Sequence, residues 1–592
     1  MKKRVADIIM DTLVELGVTD CFAVVGGGAM HLDNALLVCE DMHKYFNHHE
    51  QASAMAAEAY AKACGKMAAV CVTSGPGATN TLTGVMGAWQ DSIPMFVLSG
   101  QVRYEISVPK SGLNLRYRGI QEYQIVPAVQ HMTKYAKMIT DPHSIKAEVV
   151  KAYRIAMGGR KGPVWLDIPQ DVQNAMVEET ELLPIADENK VNQPNDSVLK
   201  SIYKDIQRSE RPCILAGSGI TSAWVREEFE QLVDKLGIPV IGGAWVADNF
   251  YMEHPLYYGP SGNIGPRAGN FILQNADYIL VLGNSLGFRQ TGFNQEAFAP
   301  HARICMVDVD QEEPRKPGLH IAESVYSDLR DFLPQMLLMD YEISGKDEWI
   351  AYCDKLKNRF TPFEAIKDID MHDRVCSYYF WKVFQKYENA DSVLALGNNT
   401  ANTAKLQIGV QKKNQRALTN YTCGSMGYDL PAAIGAAVAL KREIICVTGD
   451  GSIMMNLQEL QTIKGYHLPV KVVVFENNGY NAIRQTSKNF FKGASIGCSP
   501  DTGVSFPHFE KIANAFEYEY RCCDSNEELD DSLQWLFKNS GFLFLEVKQR
   551  LDDPVIPKVM SRLDSNGTMQ TPALEDMYPF LTEEEHNSLM YW

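Results

Sequence analysis

The feature that most constrains this chain is a recurring pattern of short apolar runs. Each closes on glycine or a small polar residue, and stretches with helical spacing separate them. Runs rich in Val, Ile, Leu and Ala without polar alternation are strands covered on both faces, and helices between them make the sheets parallel. Residues 21–28 (CFAVVGGG), 67–75 (MAAVCVTSG), 94–100 (PMFVLSG) and 162–169 (GPVWLDIP) form a first set, with an alanine-rich helix over 50–65 stopped by Gly65. A second set lies at 212–220, 238–245, 276–285 and 302–310, and a third at 392–399, 443–450, 470–478 and 542–548. Polar stretches at 177–197 and 341–375 divide the sets. The expected fold is α/β, with three doubly wound parallel-sheet domains over 1–176, 198–340 and 376–555. Linkers at 177–197 and 341–375 join them, and an irregular tail, 556–592, ends in a short acidic helix. A chain of 592 residues is also too long for one core.

Composition narrows the partners. A net charge of −17 argues against nucleic acid, which needs clustered Lys and Arg, but leaves room for a small anion at a local site. No apolar run reaches the roughly 18 residues of a membrane span. The start, MKKRVADIIMDTLVELG, has helical spacing in place of a signal peptide's apolar core. Thirteen cysteines sit mostly in apolar runs with no CxxC, as buried reduced thiols do. The expectation is a cytoplasmic protein acting on small molecules, without membrane or nucleic acid.

In the third set, one buried run ends at Thr448 and opens into Gly449-Asp450-Gly451-Ser452. The next ends at Asn477-Asn478, with Asn477 lying 27 positions after Asp450. One helix and one strand fill that interval and return the chain to the same sheet edge. Ligands of open parallel sheets bind beyond the strands' carboxyl ends. Glycines there let backbone N–H groups approach phosphate oxygens beside a helix N-terminus. A carboxylate, an amide oxygen and a backbone carbonyl are the hard oxygens that magnesium takes when it bridges protein to phosphate. Either segment alone is a tight turn. The pair points to a metal-bound diphosphate, with Asp450, Asn477 and the carbonyl of Gly479 as ligands.

These residues match the thiamine-diphosphate signature, GDG followed at this distance by NN. The resemblance extends further: residues 1–175 and 375–560 resemble the pyrimidine-binding and diphosphate-binding domains of the acetohydroxyacid synthase and pyruvate oxidase group, and the middle resembles that group's central domain. It implies thiamine diphosphate and Mg2+ as cofactors, with Gly449, Gly451, Ser452 and Tyr480 beside the metal ligands. His49-Glu50-Gln51 matches the catalytic glutamate segment. Glu50 would hydrogen-bond N1′ of the aminopyrimidine and favour the imino tautomer whose N4′ deprotonates C2, a task suited to a dry site and a raised pKa. In Gly424-Ser425-Met426-Gly427-Tyr428, Met426 would be the wedge that bends the cofactor, and the Gly424 carbonyl would hold the 4′-amino group. Ser74, Pro76 and Asn80 belong to a further matching segment. Gln121, next to Glu122, would face the reacting carbon, and Gly27 and Gly28 would line the site with backbone. The group pairs the first domain of one subunit with the third of another, so a homodimer or homotetramer is implied. The implied activity is decarboxylation of a 2-keto acid, pyruvate, and carboligation of the two-carbon unit to a carbonyl acceptor. Two alternatives stand beside it: a simple keto-acid decarboxylase that releases an aldehyde, and a non-catalytic scaffold of the same fold.

The sequence departs from the acetohydroxyacid synthases at three places. After the second motif, where they carry a Met and a Trp, this chain has Ala482 and Thr486, with Arg484 and Gln485 nearby. Small side chains open the acceptor pocket, and Arg484 offers a fork suited to phosphate. That combination suits an acceptor bulkier or more polar than a second keto acid, such as a nucleotide-linked keto sugar. The first diphosphate loop, often Gly-x-Gly-Gln-His, reads Gly397-Asn398-Asn399-Thr400-Ala401 here, leaving Asn399 and Thr400 as donors. FAD is left open. The group's arginine-rich segment keeps only Arg289, Asp308 and Asp310 end the next strand, and Ala216-Gly217-Ser218-Gly219 is a weak dinucleotide-type turn.

Overall fold

The computed structural model describes residues 2–184, 194–563 and 569–592. The first of three six-stranded sheets holds β1 (Asp20–Ala23), β2 (His43–Phe46), β3 (Ala69–Val72), β4 (Met95–Gln101), β5 (Tyr135–Met138) and β6 (Pro163–Pro169), arranged β2-β1-β3-β4-β6-β5. The middle sheet holds β7 (Pro212–Ala216), β8 (Val240–Gly242), β9 (Tyr257–Pro260), β10 (Tyr278–Leu282), β11 (Arg303–Asp308) and β12 (Ile321–Tyr326), arranged β9-β8-β7-β10-β11-β12. The third holds β13 (Val393–Leu396), β14 (Arg416–Leu418), β15 (Ile444–Gly449), β16 (Val470–Glu476), β17 (Glu519–Cys523) and β18 (Leu543–Lys548), arranged β14-β13-β15-β16-β18-β17. Every pairing within these sheets is parallel.

The central strands are buried along their whole length, as doubly covered sheets require. The first and third sheets share one strand order. The middle sheet has the order of dinucleotide-binding sheets. In each, the direction of winding reverses beside the first strand, at β1/β3, β7/β10 and β13/β15, and the crevices beyond those strand ends are where ligands bind.

The first and third sheets are joined by one apolar cluster that takes Met55, Ala59 and Val97 from one side and Ile434, Ile444 and Val472 from the other. Helices Glu50–Cys64 and Asp429–Leu440 approach so closely that a Cβ at Gly435 would meet the carbonyl oxygen of Ala56. Alanines and glycine make that approach possible. It fixes the helix that carries Glu50 against the third unit.

The polar stretches are more ordered than their composition suggests. Met176–Glu178 pairs antiparallel with Lys2–Arg4, while residues 185–193 of that stretch lie outside the described residues. Within 341–375, helix Asp347–Arg359 buries Trp349, Cys353 and Leu356 against the middle sheet, and the Trp349 indole donates to the Pro212 carbonyl at 2.9 Å. The tail, of which 564–568 lie outside the described residues, is docked on the middle unit. Leu574 and Leu589 enter its core, Arg267 donates to the Met577 carbonyl (3.1 Å), and Asn270 donates to that of Leu574 (3.0 Å). The chain ends in the expected acidic helix, Glu583–Asn587. All thirteen cysteines are free, and no described helix is long and apolar enough to cross a membrane.

Candidate active site

Strand β15 ends at Gly449, and Asp450 begins a short helical turn at the β13/β15 reversal point. Its carboxylate is buried and, among the described residues, accepts only backbone hydrogen bonds, from Gly451 (2.8 Å), Gly479 (2.9 Å) and Asn477 (3.2 Å). Burial pushes its pKa up to about 6, and no cationic side chain among the described residues pairs with it. A buried carboxylate without a counter-charge is costly, and a divalent cation supplies one. Asn477 is oriented by Gln549, to which its amide nitrogen donates at 2.9 Å; its amide oxygen, the candidate ligand atom, accepts from Arg484 at 3.3 Å and keeps a second lone pair. Gly479 sits at φ +143, where a Cβ would strike the Cys498 carbonyl. Asp450, Asn477 and the Gly479 carbonyl are a hard-oxygen set that fits magnesium.

The diphosphate end lies beside this set. Asn399 caps helix Thr400–Ile408 through its Oδ1, which accepts from Asn402 N at 2.8 Å. Its Nδ2 is buried and has no hydrogen-bond partner among the described residues. A buried N–H donor left open at a helix N-terminus is what an anion satisfies. The Thr400 hydroxyl is placed there by Asn481 (3.2 Å). Gly451 admits the Tyr480 ring, which a Cβ would overlap. Ser452 is already engaged: it donates to Asp429 (2.5 Å) and accepts from Gly427 N (2.9 Å), tying the Gly-Asp-Gly turn to the segment below it. Met426 and Gly424 stand in that segment. The Gly424 carbonyl accepts from Asn398 and keeps a second lone pair for a cofactor amine.

The candidate metal and diphosphate residues, with Gly424 and Met426, line one cavity of about 710 Å³, in the upper part of the range for small-ligand sites. Ala482, Gln485 and Thr486 line it too, on one face of helix Asn481–Phe490. Arg484 does not. Its guanidinium clamps the turn from outside, donating to the carbonyls of Asn477 (2.9 Å), Leu551 (3.0 Å) and Asn478 (3.3 Å). The phosphate fork expected of Arg484 is therefore corrected: its donors are spent on backbone carbonyls and on the amide oxygen of Asn477 (3.3 Å).

The first unit gathers its own half. Glu50 opens helix Glu50–Cys64 behind His49, whose ring accepts from Gln51 N (3.1 Å). The Glu50 carboxylate accepts from Asn80 at 2.9 Å. Ser74 and Pro76 follow β3, and Gly75, at φ +58, touches the backbone of Gln121. Gln121 is held by its neighbour Glu122, whose carboxylate accepts from Val108 N (2.6 Å), Arg118 N (2.8 Å) and Gly119 N (2.9 Å). Gly28 N donates to Thr73 (2.9 Å), while the carbonyls of Gly27 and Gly28 are taken by Gln170 and Gln173. No residue of this unit lines the 710 Å³ cavity of the same chain. Glu50 and Gln121 thus stand apart from the cavity that gathers Asp450, Asn477 and Asn399.

The middle sheet's crevice, at β7/β10, is about 160 Å³ and is lined by Ser218, Gly219, Gly283, Asp308 and Arg160. Arg160 is paired with Asp310 (3.1 Å) and with Glu313, and Arg330 with Asp328 (2.7 Å). Burial pushes Asp308 up to about 6. Arg289 faces the other way, lining the large cavity, donating to the Tyr421 carbonyl (2.9 Å) and lying over Trp245 (4.6 Å). The crevice shares Asp91, Lys161, Ser218, Ser222 and Thr422 with a neighbouring pocket of about 100 Å³.

Comparison with known proteins agrees with this layout. Residues 3–124, 199–336 and 395–547 match the thiamine pyrophosphate enzyme N-terminal TPP binding, central and C-terminal TPP binding domain models. The chain is 30% identical over 561 residues to the acetolactate synthase isozyme 1 large subunit of Escherichia coli, covering 94% of this chain and 95% of that one. It is 29% identical over 566 residues to the acetolactate synthase large subunit of Lactococcus lactis, covering 95% of both, and 29% identical over 580 residues to the chloroplastic acetolactate synthase of Arabidopsis thaliana, covering 94% and 83%. Matched in all three units and along almost its whole length, the chain belongs to the thiamine pyrophosphate enzyme family, in its acetolactate-synthase-like group.

Proposed function

We propose that this enzyme decarboxylates a 2-keto acid, pyruvate on the example of its relatives, and joins the two-carbon unit to a carbonyl acceptor larger or more polar than a second keto acid. The observation that carries the reading is a single cavity: the diphosphate and metal groups at one end run without a break into a wall kept open by Ala482 and Thr486. Bound thiamine diphosphate supplies a carbon nucleophile and a sink for the electron pair left behind by carbon dioxide.

The chain's own residues do the rest. Asn399, Thr400 and the helix behind them hold the diphosphate. Asp450, Asn477 and Gly479 would hold magnesium. Met426, in the cavity wall, would shape the bound cofactor. Glu50 holds the proton at the aminopyrimidine ring, and Gln121 stands at the reacting end. Because Glu50 and Gln121 lie outside the cavity of their own chain, a second copy supplies them, and the active unit is at least a dimer. Exposed apolar side chains on both halves support that cover: Val25 (59%), Met30 (51%) and Ile120 (87%) beside one, Ile483 (49%) and Phe490 (61%) beside the other.

The test is to incubate the protein with pyruvate, thiamine diphosphate, magnesium and a panel of aldehydes, ketones and keto sugars, and to follow products by mass spectrometry. The expected product is an acceptor heavier by one acetaldehyde unit, formed only with both cofactors. Free acetaldehyde as sole product with every acceptor would establish the simple decarboxylase instead. No cofactor binding at all would leave the scaffold reading.

A further inference from the structure

The segment after Asp553 crosses from the third unit to the middle one and forms one wall of the cavity. Its backbone is fixed on both sides. Gln407 donates to the Pro557 carbonyl (2.9 Å), Val559 N donates to the Asn263 carbonyl (2.8 Å), and Lys558 and Tyr578 exchange both backbone hydrogen bonds (3.0 and 2.8 Å). Lys558 lines the cavity from this strap. Among the described residues its ammonium has no carboxylate and no hydrogen-bond acceptor, and burial holds its pKa below the ordinary lysine value. The cavity's other cation, Arg289, is already engaged by Tyr421 and Trp245. A partly buried ammonium without a protein partner is solvated in the cavity until a ligand brings an anion, and its lowered pKa marks that solvation as incomplete.

We propose that Lys558 binds an anionic group, phosphate or carboxylate, on the acceptor substrate. This rests on the carboligase reading above and deepens it. Two other anions enter the cavity, and each matches less well. The cofactor's diphosphate has its own set in Asn399, Thr400 and the metal ligands. The donor's carboxylate must leave as neutral carbon dioxide, so a cation that stabilises it before the reaction and loses it during the reaction raises the barrier. Gln485, Thr486 and Asn489 line the same cavity and suit a hydroxylated acceptor carrying that charge.

The experiment uses the thiamine-diphosphate- and magnesium-loaded enzyme and the variants Lys558→Met and Lys558→Arg, whose folding is checked by thermal unfolding. Calorimetry with uridine diphosphate, glycerol 3-phosphate and propionate reads the anion site. Titration with thiamine diphosphate reads the cofactor site, and acceptor-free pyruvate decarboxylation reads the donor site. The expected result is that at least one probe class binds the loaded enzyme, phosphates and propionate telling the two anions apart. Lys558→Met should weaken it about 10- to 100-fold, as loss of a charge-assisted hydrogen bond does, and Lys558→Arg should largely restore it. Cofactor affinity and acceptor-free decarboxylation should stay unchanged. A drop in cofactor affinity would assign Lys558 to the diphosphate, a raised KM for pyruvate would assign it to the donor, and no probe binding or no change in it would remove the role; each overturns the proposal. If the carboligase reading alone fails, decarboxylation proceeds with no acceptor ever ligated while the anion titration still responds to Lys558.

Discussion

Replacing Asn399 by Asp separates two jobs held by one side chain. The amide oxygen caps helix Thr400–Ile408, and Asp is as good a cap as Asn. The amide nitrogen is the buried, partnerless donor assigned to the diphosphate. The unliganded variant keeps its cap, and its own unfolding temperature, lowered by the buried carboxylate, is the baseline from which the ligand response is read. Its cofactor affinity should fall, because a donor to a charged group contributes about 1.5–3 kcal/mol, roughly 10- to 150-fold, and the new carboxylate adds repulsion. The assay is thermal unfolding with magnesium and thiamine diphosphate fixed at 100 times the wild-type Kd. There the ligand stabilises the wild type by about 2.7 kcal/mol, while a site weakened about 100-fold gains only about 0.4 kcal/mol. Asn399→Ala should show the same loss of ligand response plus about 1 kcal/mol of lost cap. If Asn399→Asp responds to the cofactor as fully as the wild type, the orphaned nitrogen does not serve the diphosphate.

Two further outcomes are expected. Combining Ala482→Met with Thr486→Trp fills the open wall one helical turn apart, so transfer to bulky acceptors should fall at least about tenfold while acceptor-free decarboxylation continues; an equal fall in both would show that these positions do not select the acceptor. Asp167 lies buried under Ser99 (2.6 Å) and Gln101 (3.1 Å), and burial pushes it up to about 7. The folded state thus keeps a proton that the unfolded chain loses near pH 4. Its stabilising contribution is complete below about pH 4 and is lost as pH rises to about 7, by up to about 4 kcal/mol. Asp167→Asn should flatten the stability difference between pH 5 and pH 8, and an unchanged slope would mean that Asp167 is not the group responsible.

The sequence pattern finds every central strand and misses the same thing three times. The runs recognised by apolar continuity are β1, β3, β4 and β6, then β7, β8, β10 and β11, then β13, β15, β16 and β18. The six strands without such a run, β2, β5, β9, β12, β14 and β17, are the two edges of each sheet. Edge strands are covered less completely, so HKYF of β2 and IAESVY of β12 keep polar residues where a central strand cannot. β9 is buried but carries Gly259 and Pro260, which read as a turn. The residues proposed to hold metal and diphosphate are legible because that chemistry calls for particular residue types at strand ends. Their supports are not: Gln549, which orients Asn477, and Glu122, which holds the loop of Gln121, act through contacts far apart or irregular in sequence. Arg484 and Lys558 show the same limit. Both are plain cations in a sequence, and only the fold tells that the first faces backbone carbonyls and the second faces the cavity.

The central claim is that each active site takes Glu50 from one chain and Asp450 from another, and subunit mixing tests it directly. Glu50→Gln and Asp450→Asn should each abolish pyruvate decarboxylation by impairing opposite halves of the site. Unfolded together in equal amounts and refolded, half the dimers should be mixed, and each mixed dimer should contain one site with both halves intact, so activity should return to about a quarter of the wild type. If the mixture stays as inactive as either variant while mixed dimers are shown to form, both halves come from one chain and the two-chain site is wrong.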